Sequence, residues 1–72
     1  MGRYLAEVKN SAKVYFSSQI RDTLEMALAK NRIYVVLVRA STFQKMAASP
    51  FDNIVKRAGR TPGLAVVGCL PG

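Results

Sequence analysis

A chain of 72 residues is one small domain at most, and such a domain buries only roughly 60% of the surface its unfolded chain exposes. Eleven lysines and arginines against four acids give a net charge of +7, which favours nucleic acid or another polyanion as partner over a plainly basic soluble protein. One cysteine and no histidine exclude an internal disulfide, zinc sites built on Cys and His, and a histidine general base, while a hydrophobic content of 50% argues against disorder.

The first element in chain order is Tyr4 to Lys9, a β-compatible run preceded only by Met1, Gly2 and Arg3. A core strand that starts so abruptly suggests a piece of a larger domain. Asn10-Ser11 interrupts it, and Lys13 to Phe16 extends it or makes a short second strand. Ser17 and Ser18 are helix N-cap candidates. From Gln19 to Lys30 the apolar residues Ile20, Leu24, Ala27 and Leu28 form an amphipathic stripe, with Asp22 in the first turn, Lys30 in the last and Asn31 as a left-handed stop.

Ile33 to Val38 is the strongest strand. It is apolar at every position, which predicts burial on both faces of a parallel or mixed sheet. Thr42 to Ala47 reads as a helical turn or short helix. Ser49-Pro50-Phe51-Asp52 reads as a helix start, followed by a buried stripe of Phe51, Ile54, Val55 and Ala58 that ends at Gly59. Arg60 to Gly63 is a turn. Leu64 to Leu70 is a closing apolar strand in which Cys69 reads as a small core residue. The order is β-(β)-α-β-α-β. The expected fold class is α/β (α+β), a small mixed sheet with helices packed on it. No stretch reaches the roughly 18–20 apolar residues of a membrane helix and no secretory leader is visible, so the expectation is a soluble protein.

Within the first strand, Glu7 and Lys9 share a face because side chains alternate with period two, which sends Val8 into the core. A carboxylate beside an ammonium suits Mg²⁺-assisted phosphodiester chemistry, in which the acid ligates the ion and the lysine acts on the attacking water or the developing charge. The same triplet is common by chance, and a surface ion pair explains it as well.

The stretch Glu7-Val8-Lys9-Asn10, then Ser17-Ser18-Gln19-Ile20-Arg21-Asp22, then the apolar strand, and finally Cys69-Leu70-Pro71, resembles the C-terminal part of the PD-(D/E)xK, restriction-endonuclease-like nucleases. It is most similar to the toxin domains at the C-termini of bacterial Rhs and other polymorphic toxins. The likeness covers most of the chain, is specific through Asp22 and is loose after residue 40. It implies a restriction-endonuclease-like core, the C-terminal portion of a larger nuclease domain, in which Glu7 and the Val8 carbonyl hold Mg²⁺, Lys9 acts on the water and Gln19 faces the active site. It also implies DNA as substrate (RNA less so), an immunity protein as partner, and action in the cytoplasm or delivery into a target cell within a larger secreted toxin. The family's first metal-binding acid has no counterpart in this sequence. The resemblance therefore implies weak activity or none from this chain alone, and a first strand that pairs with a missing N-terminal half or with a second copy.

For nucleic-acid contact the basic candidates are Lys13, Arg21, Lys56, Arg57 and Arg60. The last three form the tightest cluster, which a helix C-terminus also favours. The aromatics are scattered and do not form a stacking platform for single strands. The alternative to a nuclease is a small basic module that binds nucleic acid or protein without catalysis.

Overall fold

The structure, a computed structural model, describes residues 3–72. Its elements are β1 (Tyr4–Lys9), α1 (Ser18–Ala29), β2 (Ile33–Arg39), α2 (Ala40–Ala48), α3 (Ile54–Ala58) and β3 (Leu64–Leu70). The strands form one sheet in the order β1-β2-β3, with helices packed on it, as expected. Both pairings are parallel, so the sheet is not of mixed direction. Lys13 to Phe16 adds no strand and runs as extended coil.

Each element follows from local chemistry. Ser17 caps α1 by accepting from the Ile20 N–H at 3.3 Å, and Asn31 in the left-handed region (φ 56°) ends it. The helix starts at Ser18, so Asp22 lies beyond its first turn. The second helical region divides differently from the expectation. Ser49 only accepts from the Phe51 N–H at 3.1 Å, whereas Asn53 accepts from the Val55 and Lys56 N–H groups at 3.1 and 3.2 Å. The better cap wins, α3 begins at Ile54, and Phe51 stays outside it, 77% exposed rather than in a buried stripe. Gly68 lets α2 sit close on β3, because a Cβ there would lie 2.5 Å from the Phe43 Cβ.

All helices lie on one face. Ile20, Leu24 and Ala27 of α1, Ile54 of α3, and Tyr34, Val36, Val38 and Leu64 of the sheet make a single core. The cause is topological. Parallel strands that step in one direction, joined by crossovers of the usual right hand, put every crossover helix on the same side. The expectation of a doubly buried β2 is therefore corrected: Tyr34, Val36 and Val38 are fully buried, but Ile33 on the opposite face is 41% exposed. Two further expectations change with it. Val8 is 59% exposed on the bare face instead of in the core, and Cys69 is exposed beside Val67. No helix among the described residues is long and apolar enough to cross a membrane.

Candidate active site

The register of β1 on β2 places Glu7 beside Val36 and Lys9 beside Val38, on the helix-covered face. The shared face of the two charges is as expected, but its direction is toward the helices. Their Oε2 and Nζ atoms lie 3.4 Å apart, with each side chain about one-third exposed at 34% and 28%. Glu7 is also engaged from below. The buried Tyr34 hydroxyl donates to its Oε1. Burial, then the hydrogen bond and the charge of Glu7, push the Tyr34 phenol well above its ordinary range, with a small opposing pull from Thr23. Tyr34 is thus a fixed neutral donor that holds Glu7 in place. Sequence reasoning missed this role, although a tyrosine inside an apolar strand signals a hydroxyl that needs a partner.

The pair lies toward the C-terminal end of an edge strand. The Arg3 carbonyl accepts from the Ile33 N–H at 2.8 Å, so by strand alternation the odd-numbered peptide groups of β1 face β2. The Val8 carbonyl therefore faces the open edge of the sheet. After Lys9 the chain crosses the end of the sheet and is pinned there. Arg39 Nε donates to Asn10 Oδ1 at 2.8 Å, and the buried Thr42 hydroxyl donates to the Ser11 carbonyl at 3.0 Å. Val14 is buried beneath this segment.

The remaining candidates are distributed unevenly. Gln19 lies one helical turn before Thr23 on α1, at the end of the helix nearest Lys9, but its side chain is exposed and makes no hydrogen bond to Glu7 or Lys9. Lys13 lies beyond Lys9 on the crossing segment, and the two line one hollow. Arg21 is exposed and paired with Asp22 at 3.6 Å. Lys56 donates to the Ala47 carbonyl at 3.5 Å. Arg57 and Arg60 both reach Asp52, at 3.4 and 2.5 Å, and Arg57 also stacks over Phe16 at 4.5 Å. This cluster sits on α3 and the turn after it, and one carboxylate partly neutralises it.

A magnesium ion at Glu7 would have two protein donors, one carboxylate and the Val8 carbonyl. Mg²⁺ demands six oxygens in near-octahedral array and is commonly held by one or two carboxylates with waters and substrate phosphate. The other three acids do not supply the second carboxylate. Asp22 pairs with Arg21, Asp52 is held by Arg60 below its ordinary range, and Glu25 is exposed on α1. Among the described residues no group of three His, Cys, Asp or Glu could hold a metal. The donor set is therefore short of a resident metal site. No protein-family model, no curated protein and no solved structure matches this chain.

Proposed function

We propose that the chain carries the E-x-K half of a metal-dependent phosphodiesterase site of the PD-(D/E)xK toxin type, with DNA as its substrate. One observation carries this reading. Glu7 and Lys9 stand 3.4 Å apart on one face of an edge strand whose next free acceptor, the Val8 carbonyl, faces the open edge. Tyr34 gives the carboxylate the fixed orientation that such a site requires. Lys9 supplies positive charge where phosphate charge would develop. The second acid comes from outside the described residues, on an element that pairs with the free edge of β1 or on a second copy of the chain. The bare apolar face, with Val8, Ile33 and Val67 exposed on it, gives such an element something to cover. In the setting the resemblance implies, the activity is delivered into a target cell within a larger secreted toxin and is held in check by an immunity protein.

Plasmid nicking with Mg²⁺ and with a chelator tests this reading. The chain by itself is expected to nick weakly or not at all. Robust Mg²⁺-dependent cleavage that Glu7→Gln abolishes would overturn the incompleteness of the site, and cleavage that survives Glu7→Gln would sink the assignment of Glu7.

A second reading has its own support. Both carboxylate oxygens of Glu7 are already engaged, by Lys9 and Tyr34, as in a structural pair. A basic binding module without catalysis predicts nucleic-acid affinity that falls steeply with salt and ignores metal.

A further inference from the structure

Beside the half-site lies a groove of about 570 Å³, between the extended 12–16 segment, α2 and the turn into α3. Its size falls in the range of sites that enclose a small molecule or one nucleotide, roughly 300–1,000 Å³. Val14, Phe16 and Met46 give it a largely apolar lining. Its polar side chains are already committed. Thr42 donates to the Ser11 carbonyl, Asn53 caps α3, and Asp52 holds Arg57 and Arg60. The exceptions are Lys13 and Lys45 in its wall, which have no acidic partner among the described residues, the exposed Tyr15, and Ser49, whose hydroxyl oxygen accepts from the Phe51 N–H and keeps its own O–H free.

A smaller hollow of about 210 Å³ runs alongside, lined by Lys9, Ser17 and Ile20. The two share Lys13, Val14 and Tyr15. Tyr15 is an aromatic left 71% exposed at this junction. A cation track from Lys9 to Lys13, an aromatic face and an apolar recess thus follow one another over a few residues.

We propose that the groove receives one unstacked base of a single-stranded nucleic acid, with its backbone on Lys9 and Lys13 and the base against Tyr15. The apolar lining of Val14, Phe16 and Met46 offers the base no hydrogen-bonding side chain, so it is held mainly by stacking and burial and its identity is read weakly. A duplex keeps its bases stacked inside the helix and enters only after extruding a nucleotide, which costs affinity. The inference rests on the half-site reading for the purpose of the strand, placing the phosphate next to the seated base near Lys9.

Fluorescence anisotropy in chelator tests it, with a short labelled oligothymidine strand and a labelled hairpin duplex of equal phosphate count. Hydrolysis plays no part in that assay, so failure of the nicking test and failure of this one are separable. The single strand is expected to bind at least about tenfold more tightly than the duplex, and Tyr15→Ala to remove about tenfold of that affinity. Lys13→Gln is expected to lower the slope of log affinity against log salt by about 0.7. Lys30→Gln, at the far end of α1, makes the same charge change and leaves the slope in place. Equal or tighter duplex binding, or full single-strand affinity in Tyr15→Ala, would overturn the proposal.

Discussion

Alanine at Ile54 is expected to cost about 2–5 kcal/mol of stability. Ile54 is fully buried and belongs to the core formed with Tyr34, Val36 and Leu64. It is the one fully buried residue of a helix five residues long, a length that has little stability without packing. The whole domain has on the order of 4–11 kcal/mol to lose at ordinary values per residue. Urea denaturation should therefore show a midpoint lowered by a large fraction of the total. Loss of α3 also releases Arg57 from Phe16 and opens one wall of the groove. A cost under about 1 kcal/mol would mean that α3 is not part of the cooperative unit.

The second large effect concerns Glu7, and it bears on every activity measurement. Glu7→Ala leaves the buried Tyr34 hydroxyl without its acceptor, at an expected cost of about 1–3 kcal/mol. The ion pair with Lys9, about one-third exposed, adds at most about 1 kcal/mol. Glu7→Gln keeps a carbonyl oxygen for Tyr34 and should recover most of the loss. Tyr34→Phe in the Glu7→Ala background removes the orphaned donor, so the two changes should be less than additive by about 0.5–3 kcal/mol in a double-mutant cycle. Additive costs would show that the contact does not hold Glu7 in solution. Glu7→Gln, not Glu7→Ala, is accordingly the variant to use in cleavage assays.

Much of the fold was legible because its signals are local. The α1 stripe at Ile20, Leu24 and Ala27 (Leu28, also expected in it, is 46% exposed), the serine cap, the Asn31 stop and the closing strand each rest on a few adjacent residues. The shared face of Glu7 and Lys9 follows from period two alone. What was not legible depends on strand order. A run such as Ile33 to Val38 looks the same whether helices cover both of its faces or one, and the sequence does not say that β1, β2 and β3 step in one direction. That single fact exposes Val8 and Cys69 and turns Glu7 and Lys9 toward the helices. Phe51 was misplaced for a different reason: Ser49-Pro50 is a fair helix start, and Asn53, immediately before the buried Ile54, is a better one. At the site, Tyr34 was hidden because its role comes from Glu7, far away in sequence, and the place of Tyr15 beside a groove depends in the same way on the distant α2 wall.

The bare sheet face and the short donor set fit one proposed arrangement. On the proposed reading, an element that pairs with the free edge of β1 brings the second acid to the Val8 carbonyl, and its extension over the bare face covers Val8 and Ile33. Until then, Glu7 and Lys9 form a stable pair on an ordered strand.

Whether Glu7 is a metal ligand at all is tested most directly by titrating Mn²⁺ into the chain and following amide NMR signals. The ion stands in for Mg²⁺ and broadens nearby resonances. Binding is expected to be millimolar or weaker, with broadening that begins at Ala6 to Asn10 and disappears in Glu7→Gln. Broadening that starts at Glu25, Asp22 or Asp52 and leaves β1 untouched would contradict it.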